Sequence, residues 1–92
     1  MEKTVYFLVT GRVQGVNFRA SARDRALAAG VTGWVRNRLD GSVDGNATAS
    51  PAALEEFLRW LRHGPRIAFV EELKVEEIET TAFTDFDIHR TG

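Results

Sequence analysis

The chain contains no cysteine, which removes disulfide bonds and thiolate chemistry of every kind from consideration. It also lacks a long apolar run. Val5-Tyr6-Phe7-Leu8-Val9 is too short to span a membrane, and no extended apolar segment with a small-residue cleavage site follows Met1-Glu2-Lys3-Thr4. A cytoplasmic protein without a membrane partner is therefore expected. Neither sign of charge dominates: 12 Lys+Arg stand against 13 Asp+Glu, a formal net charge of -1, so no global positive field draws a nucleic acid. The two histidines, His63 and His89, are isolated and have no Cys or His cluster to join. Surface or capping roles are expected for both, with no metal and no loss of activity in EDTA.

What is present fits one ordinary folded unit. Of 92 residues, 43% are hydrophobic and 27% charged, enough for one modest core, so residues 1–92 are read as one domain. The charges are segregated. Arg12, Arg19, Arg23, Arg25, Arg36 and Arg38 face only Asp24 between positions 12 and 38, whereas Glu71, Glu72, Glu76, Glu77 and Glu79 make the later part acidic. An anion site belongs in the first half.

Val5, Phe7 and Val9 alternate with Tyr6, Leu8 and Thr10, a strand with two rather apolar sides that belongs inside a sheet. After a loop opened by Gly11 and Gly15, Phe18, Ala22, Ala26 and Ala29 form a helical stripe that Gly30 can stop, leaving Leu27 on the far side. Asp40-Gly41 between two strand-like runs signals a hairpin. Ser50-Pro51 starts a second helix with the apolar face Leu54, Phe57, Leu58 and Leu61, and Gly64-Pro65 is the expected stop. In the tail, Leu73 and Val75 change parity before Ile78, where a bulge or an early strand end is expected, and Phe86 and Ile88 mark a last strand. Trp34 and Trp60 read as core or boundary aromatics, and Glu76, Glu77 and Glu79 as a solvated run. The order β-α-β-β-α-β, with a possible short fifth strand, predicts an α+β ferredoxin-like sandwich: an antiparallel sheet with both helices on one face. That fold alone names no function.

The run from Gly11 to Arg19 is the best place for chemistry. A loop ending at a helix N-terminus can aim unpaired backbone N–H groups at an anion, and the helix dipole favours negative charge there. Arg19 would stand in the first turn, where a cation is disfavoured by ~0.3–1 kcal/mol unless an anion offsets it. Its planar fork suits two phosphate oxygens. Pairing of Arg19 with Asp24 is the alternative. The loop is neither a nucleotide P-loop, since Gly-Lys-Ser/Thr is missing, nor a dinucleotide fingerprint.

Gly11-Arg12-Val13-Gln14-Gly15-Val16-Asn17-Phe18-Arg19 resembles the signature loop of the acylphosphatase family, and Gly33-Trp34-Val35-Arg36-Asn37-Arg38-Leu39-Asp40-Gly41-Ser42-Val43 resembles its second signature. Ala26, Gly30, Gly64-Pro65 and Ala68 also fall where that family has such residues, so the resemblance covers essentially the whole chain. It departs at Ala49, commonly Gly in the family, and at Ala47, often a larger aliphatic residue; neither matches a catalytic position. The resemblance implies a metal-free, cofactor-free hydrolase of acyl phosphates such as acetyl phosphate, carbamoyl phosphate and 1,3-bisphosphoglycerate, with inorganic phosphate as product and competitive inhibitor. Carried over, Arg19 is the phosphate-binding arginine and Asn37 holds the attacking water. The amides of Gln14, Gly15, Val16, Asn17 and Phe18 complete the phosphate cradle. On residue chemistry alone, Asn37 reads first as a turn or strand-end asparagine whose side chain satisfies local backbone. A monomer is expected.

Two other functions share this pattern of elements. An RNA-binding module would need exposed aromatics on its central strands, which Tyr6 or Phe7 could begin to supply, but the aromatic RNA-binding motifs are missing. A domain kept for protein interaction would not require Arg19 and Asn37 to be present together.

Overall fold

The computed structural model describes residues 1–92. Its elements run β1 (Lys3–Arg12), α1 (Phe18–Ala29), β2 (Thr32–Asn37), β3 (Val43–Ala49), α2 (Pro51–Leu61), β4 (Phe69–Ile78) and β5 (Phe86–Ile88). They form one sheet in the order β4-β1-β3-β2-β5. β1 lies between β4 and β3, as a strand with two apolar sides should: Val5, Phe7 and Val9 are buried, while Tyr6, Leu8 and Thr10 are half-covered.

Both helices pack on the face that carries Val5, Phe7 and Val9. α1 contributes Phe18, Ala22 and Ala26, with Gly30 ending the helix in the left-handed region and Leu27 left 48% exposed. α2 contributes Leu54, Phe57 and Leu61, and the Phe57 ring meets Phe7 and Phe86 edge-on at centroid distances of 6.0 and 5.6 Å. Full burial of each such side chain contributes about 1.5–3 kcal/mol. The Ser50 hydroxyl accepts from the Ala53 amide at 3.3 Å and caps α2, with Pro51 following. The helix stops at Leu61, slightly ahead of Gly64-Pro65, where the His63 and Gly64 amides close onto the Trp60 carbonyl. Ala47 and Ala49, the two departures from the family pattern, are both buried in β3.

The sheet differs from the expected antiparallel one at a single pair. β1–β3, β1–β4 and β2–β3 are antiparallel, but β5 lies parallel to β2. The connector explains this. From the end of β4 it crosses beneath β1 and β3, pinned where the Thr81 amide donates to Thr4 Oγ1 (2.8 Å) and Thr48 Oγ1 donates to the Thr81 carbonyl (2.7 Å). β5 then starts from the end at which β4 finished and runs in the direction of β2.

The expected irregularity near Ile78 is also corrected. The β1–β4 ladder is unbroken from Thr4↔Ile78 to Thr10↔Glu72, and the shift lies at Thr10/Gly11, with Glu71 as the extra residue. Ile78 changes parity because it occupies the opposite face from Leu73 and Val75.

Candidate functional site

The β1–α1 loop is fastened to the core by Val13, Val16 and Phe18, all buried, with Gly15 and Asn17 exposed between them. Those two exposed residues turn the chain through the left-handed region, with φ of 75° at Gly15 and 63° at Asn17. Glycine adopts that conformation freely and asparagine tolerates it. Asn17 opens α1 but its side chain makes no capping bond, in contrast to Ser50 at α2. The backbone amides of Gln14, Gly15, Val16 and Asn17 donate to no carbonyl in the protein. Those of Phe18, Arg19 and Ala20 belong to a helix's first turn, which has no intrahelical acceptors. The α1 N-terminus therefore presents uncapped donors with the positive end of the dipole behind them.

Arg19 stands partly exposed in this first turn, which contains no acidic residue. The ion pairs of the molecule involve Lys3, Arg36, Arg38 and Arg59 as cations, so the alternative pairing of Arg19 with Asp24 does not form. Asn37 is the last residue of β2. Its main chain pairs with Val43 and its carbonyl accepts from the Gly92 amide at 3.1 Å. A cavity of about 320 Å³ brings Gly15, Asn17, Phe18 and Arg19 together with Asn37, and Val13, Ala20 and Ile88 complete its walls. Two of the expected cradle residues do not line it. Val16 packs into the core, and the Gln14 side chain turns to the β2–β3 hairpin, donating to the carbonyls of Arg38 (2.8 Å) and Ser42 (2.9 Å).

Ile88 was not anticipated at the site. Its parity with Phe86 marks its face, but only the parallel pairing Val35↔Ile88 brings it beside β2 and the cavity. The buried carboxylate of Asp44 was missed as well. It accepts from Tyr6 Oη (2.6 Å), from Arg36 Nε and Nη2 (2.8 and 3.3 Å) and from Arg38 Nη1 (3.2 Å). Burial pushes this carboxyl up, but the hydrogen bonds from Arg36, Tyr6 and Arg38 outweigh it and hold the group below its ordinary value. Burial and then the bond to Asp44 raise the Tyr6 phenol. Arg36 and Arg38 flank Asn37 in sequence, so one carboxylate on the helix-free face secures both neighbours of a residue at the cavity. The hairpin register held the clue, since Arg36 lies directly across from Asp44.

Trp34 is a boundary residue on that helix-free face. The His89 ring stacks on it at 4.8 Å and 6°, and the Arg36 guanidinium lies 5.2 Å from its centre. Trp60 borders α2 against Phe18 at 5.6 Å. Phe7 is buried under the helices, whereas Tyr6, whose hydroxyl donates to Asp44, is half-covered on the helix-free face. Glu76, Glu77 and Glu79 are exposed. No group of three or more His, Asp or Glu side chains is gathered where it could hold a metal ion.

Fold and site together define a small ferredoxin-like protein whose first loop and helix form an anion-receptive cavity facing a strand-end asparagine. The acylphosphatase family model matches residues 5–88, and the chain belongs to the acylphosphatase family. It is 45% identical over 84 residues to the acylphosphatase of Pelotomaculum thermopropionicum, covering 90% of this chain and 91% of that one. To the acylphosphatase of Methylococcus capsulatus it is 46% identical over 89 residues, covering 96% and 97%. The solved structure of an acylphosphatase from Coxiella burnetii superposes with a TM-score of 0.93 at 35% identity, covering 96% of this chain and 93% of that one.

Proposed function

We propose that this chain hydrolyses the carboxyl–phosphate bond of acyl phosphates to a carboxylate and inorganic phosphate, by direct attack of an oriented water without metal or covalent intermediate. The observation that carries the reading is the shared cavity of Arg19, uncapped helix-end amides and Asn37. An acyl phosphate needs little else. Its leaving carboxylate is a weak base and departs without acid assistance, so catalysis reduces to holding the phosphoryl group, neutralising its equatorial oxygens and placing one water in line.

Arg19 and the amides of Gln14, Gly15, Val16, Asn17 and Phe18 take the first two tasks. Asn37 takes the third: its side-chain oxygen accepts a hydrogen bond from the water. An amide is no useful base, so its role is orientation. The water oxygen forms the new bond to phosphorus as the bridging P–O bond breaks, that bond's electron pair leaving with the carboxylate; one water proton passes to a phosphate oxygen and the other stays on the new hydroxyl, so the product is dihydrogen phosphate. Inorganic phosphate, the product, competes for the same cradle. The proposal takes residues 1–92 as one monomeric unit acting in the cytoplasm without membrane or nucleic acid; the net charge of -1 supports the last of these, because it gives no global positive field for a polyanion.

Side-by-side kinetics on acetyl phosphate, carbamoyl phosphate, 1,3-bisphosphoglycerate and a simple phosphate monoester, with EDTA present, test the reading. Turnover of the three acyl phosphates with little discrimination, and none of the monoester, is expected. Efficient monoester cleavage would sink the reliance on an activated leaving group.

A further inference from the structure

We propose that Gln14 is a positioning residue: its side-chain amide ties the anion-binding loop to the β2–β3 hairpin and so sets Asn37 at its distance from the phosphate cradle. The inference rests on the water-orienting reading of Asn37. Its geometry is specific. Gln14 Nε2 donates to the carbonyl of Arg38 at 2.8 Å and to that of Ser42 at 2.9 Å, across 24 and 28 positions of sequence. Both partners are carbonyls, so the side chain must present its NH₂ end, which uses both amide hydrogens. That nitrogen has no hydrogen left for a substrate, and Gln14 does not line the cavity, so its side chain acts through the hairpin.

The two carbonyls belong to the turn that follows Asn37. Arg38 is the next residue, its amide donates to the Ser42 carbonyl at 2.8 Å, and the Gly41 amide donates to the Arg38 carbonyl at 3.2 Å. The turn is braced internally as well, since the Asp40 carboxylate accepts from the Ser42 amide (3.0 Å) and hydroxyl (2.5 Å). Gln14 thus grips a stiff turn rather than a pliable one. On the opposite face Asp44 holds Arg36 and Arg38. These bonds fix the hairpin internally, but they do not reach the loop; among side-chain hydrogen bonds, only those of Gln14 join residues 13–17 to residues 37–42. In-line attack is intolerant of distance, and a displacement of about 1 Å can cost about 100-fold in rate. Without the tie, loop and hairpin keep their own shapes and lose their mutual register.

The test is a cycle of Gln14→Met, Asn37→Ala and the double variant, read by kcat on benzoyl phosphate, by competitive inhibition by inorganic phosphate, and by amide hydrogen exchange at Arg38 and Gly41. Gln14→Met is expected to lower kcat by about 10- to about 100-fold, to leave phosphate inhibition within about twofold, and to leave exchange at those two amides near the parental rate, since their bonds lie within the turn. The double variant is expected to be no slower than Asn37→Ala, because a residue acting through Asn37 has nothing left to position. If Gln14→Met does not fold, Gln14→Asn, one methylene too short to reach both carbonyls, undergoes the same comparison. Multiplied losses in the double variant, or phosphate inhibition weakened as much as kcat, would overturn the inference while leaving the role of Asn37 intact. Parental kcat in Asn37→Ala would instead overturn the water-orienting reading, and this inference with it.

Discussion

Replacing Arg19 by alanine removes a cation that stands in the first turn of α1, beside uncapped amides and with no carboxylate paired to it. In the free protein that position is unfavourable for a cation by ~0.3–1 kcal/mol, so the substitution leaves folding stability level or raises it by that amount. For a chain of this size 1 kcal/mol corresponds to about 4–8 °C, which puts the rise in Tm at about 1–8 °C. Catalysis moves the opposite way. Two charge-assisted bonds from the guanidinium to a phosphoryl group are worth about 1.5–3 kcal/mol each. Their sum of about 3–6 kcal/mol, at 1.36 kcal/mol per decade, removes about two to four orders of magnitude from kcat/KM. The measurements are benzoyl phosphate hydrolysis and thermal melts with and without inorganic phosphate. Phosphate should raise the melting temperature of the parent by mass action and have little effect on the variant. A folded Arg19→Ala protein that hydrolyses at close to the parental rate would refute the assignment. So would a variant that melts lower yet is still stabilised by phosphate, since Arg19 would then be structural.

Two further substitutions probe the parts of the molecule that hold the site. Asp44→Asn is expected to cost about 1–3 kcal/mol at neutral pH, because three hydrogen-bonded partners lose a buried anion. A carboxyl held below its ordinary value of 3.8 stabilises the fold above that pH and loses the contribution as pH falls through its lowered value. The parent-minus-variant difference in urea denaturation should therefore shrink below pH 3.8, and a pH-independent difference would contradict the account. Gly45→Ala would place a Cβ 2.0 Å from the Trp34 carbonyl oxygen and 2.7 Å from the Phe7 ring. A rigid backbone and a buried ring cannot yield cheaply, so a loss of at least about 1–3 kcal/mol is expected, seen as a lower urea midpoint at unchanged slope. An unchanged midpoint would show that the strand has room to shift.

Much of the sandwich was legible because it depends on periodicity and local chemistry. The two-sided apolarity of Val5 to Val9 placed β1 inside the sheet, Ser50-Pro51 marked the start of α2, and Asp40-Gly41 marked the hairpin. These features act within a few residues of chain and so leave a mark in the order of residues. The parity change at Ile78 was legible too, but its meaning was not. Alternation records which face a side chain takes and says nothing about where the partner strand slips, and the slip lies at the other end of the ladder, opposite Gly11.

The site divides in the same way. Arg19 had a reason of its own in the sequence, a cation at a helix start with a glycine-bearing loop before it, and Asn37 was recognisable through its surrounding motif. That the two line one cavity is a tertiary fact, because the hairpin is folded back over the loop across many residues. Ile88 entered the wall only because the connector pinned by Thr4 and Thr48 delivers β5 parallel to β2. The residues alone therefore marked the fold class, the helix ends, the hairpin and an anion-seeking first loop, all of which rest on local backbone preference and on the faces that side chains choose. Only the folded chain could set the parallel edge, the carboxylate beneath Arg36 and Arg38, and the grip of Gln14 on the hairpin, because hydrogen bonds between distant segments require positions in space that no local pattern encodes.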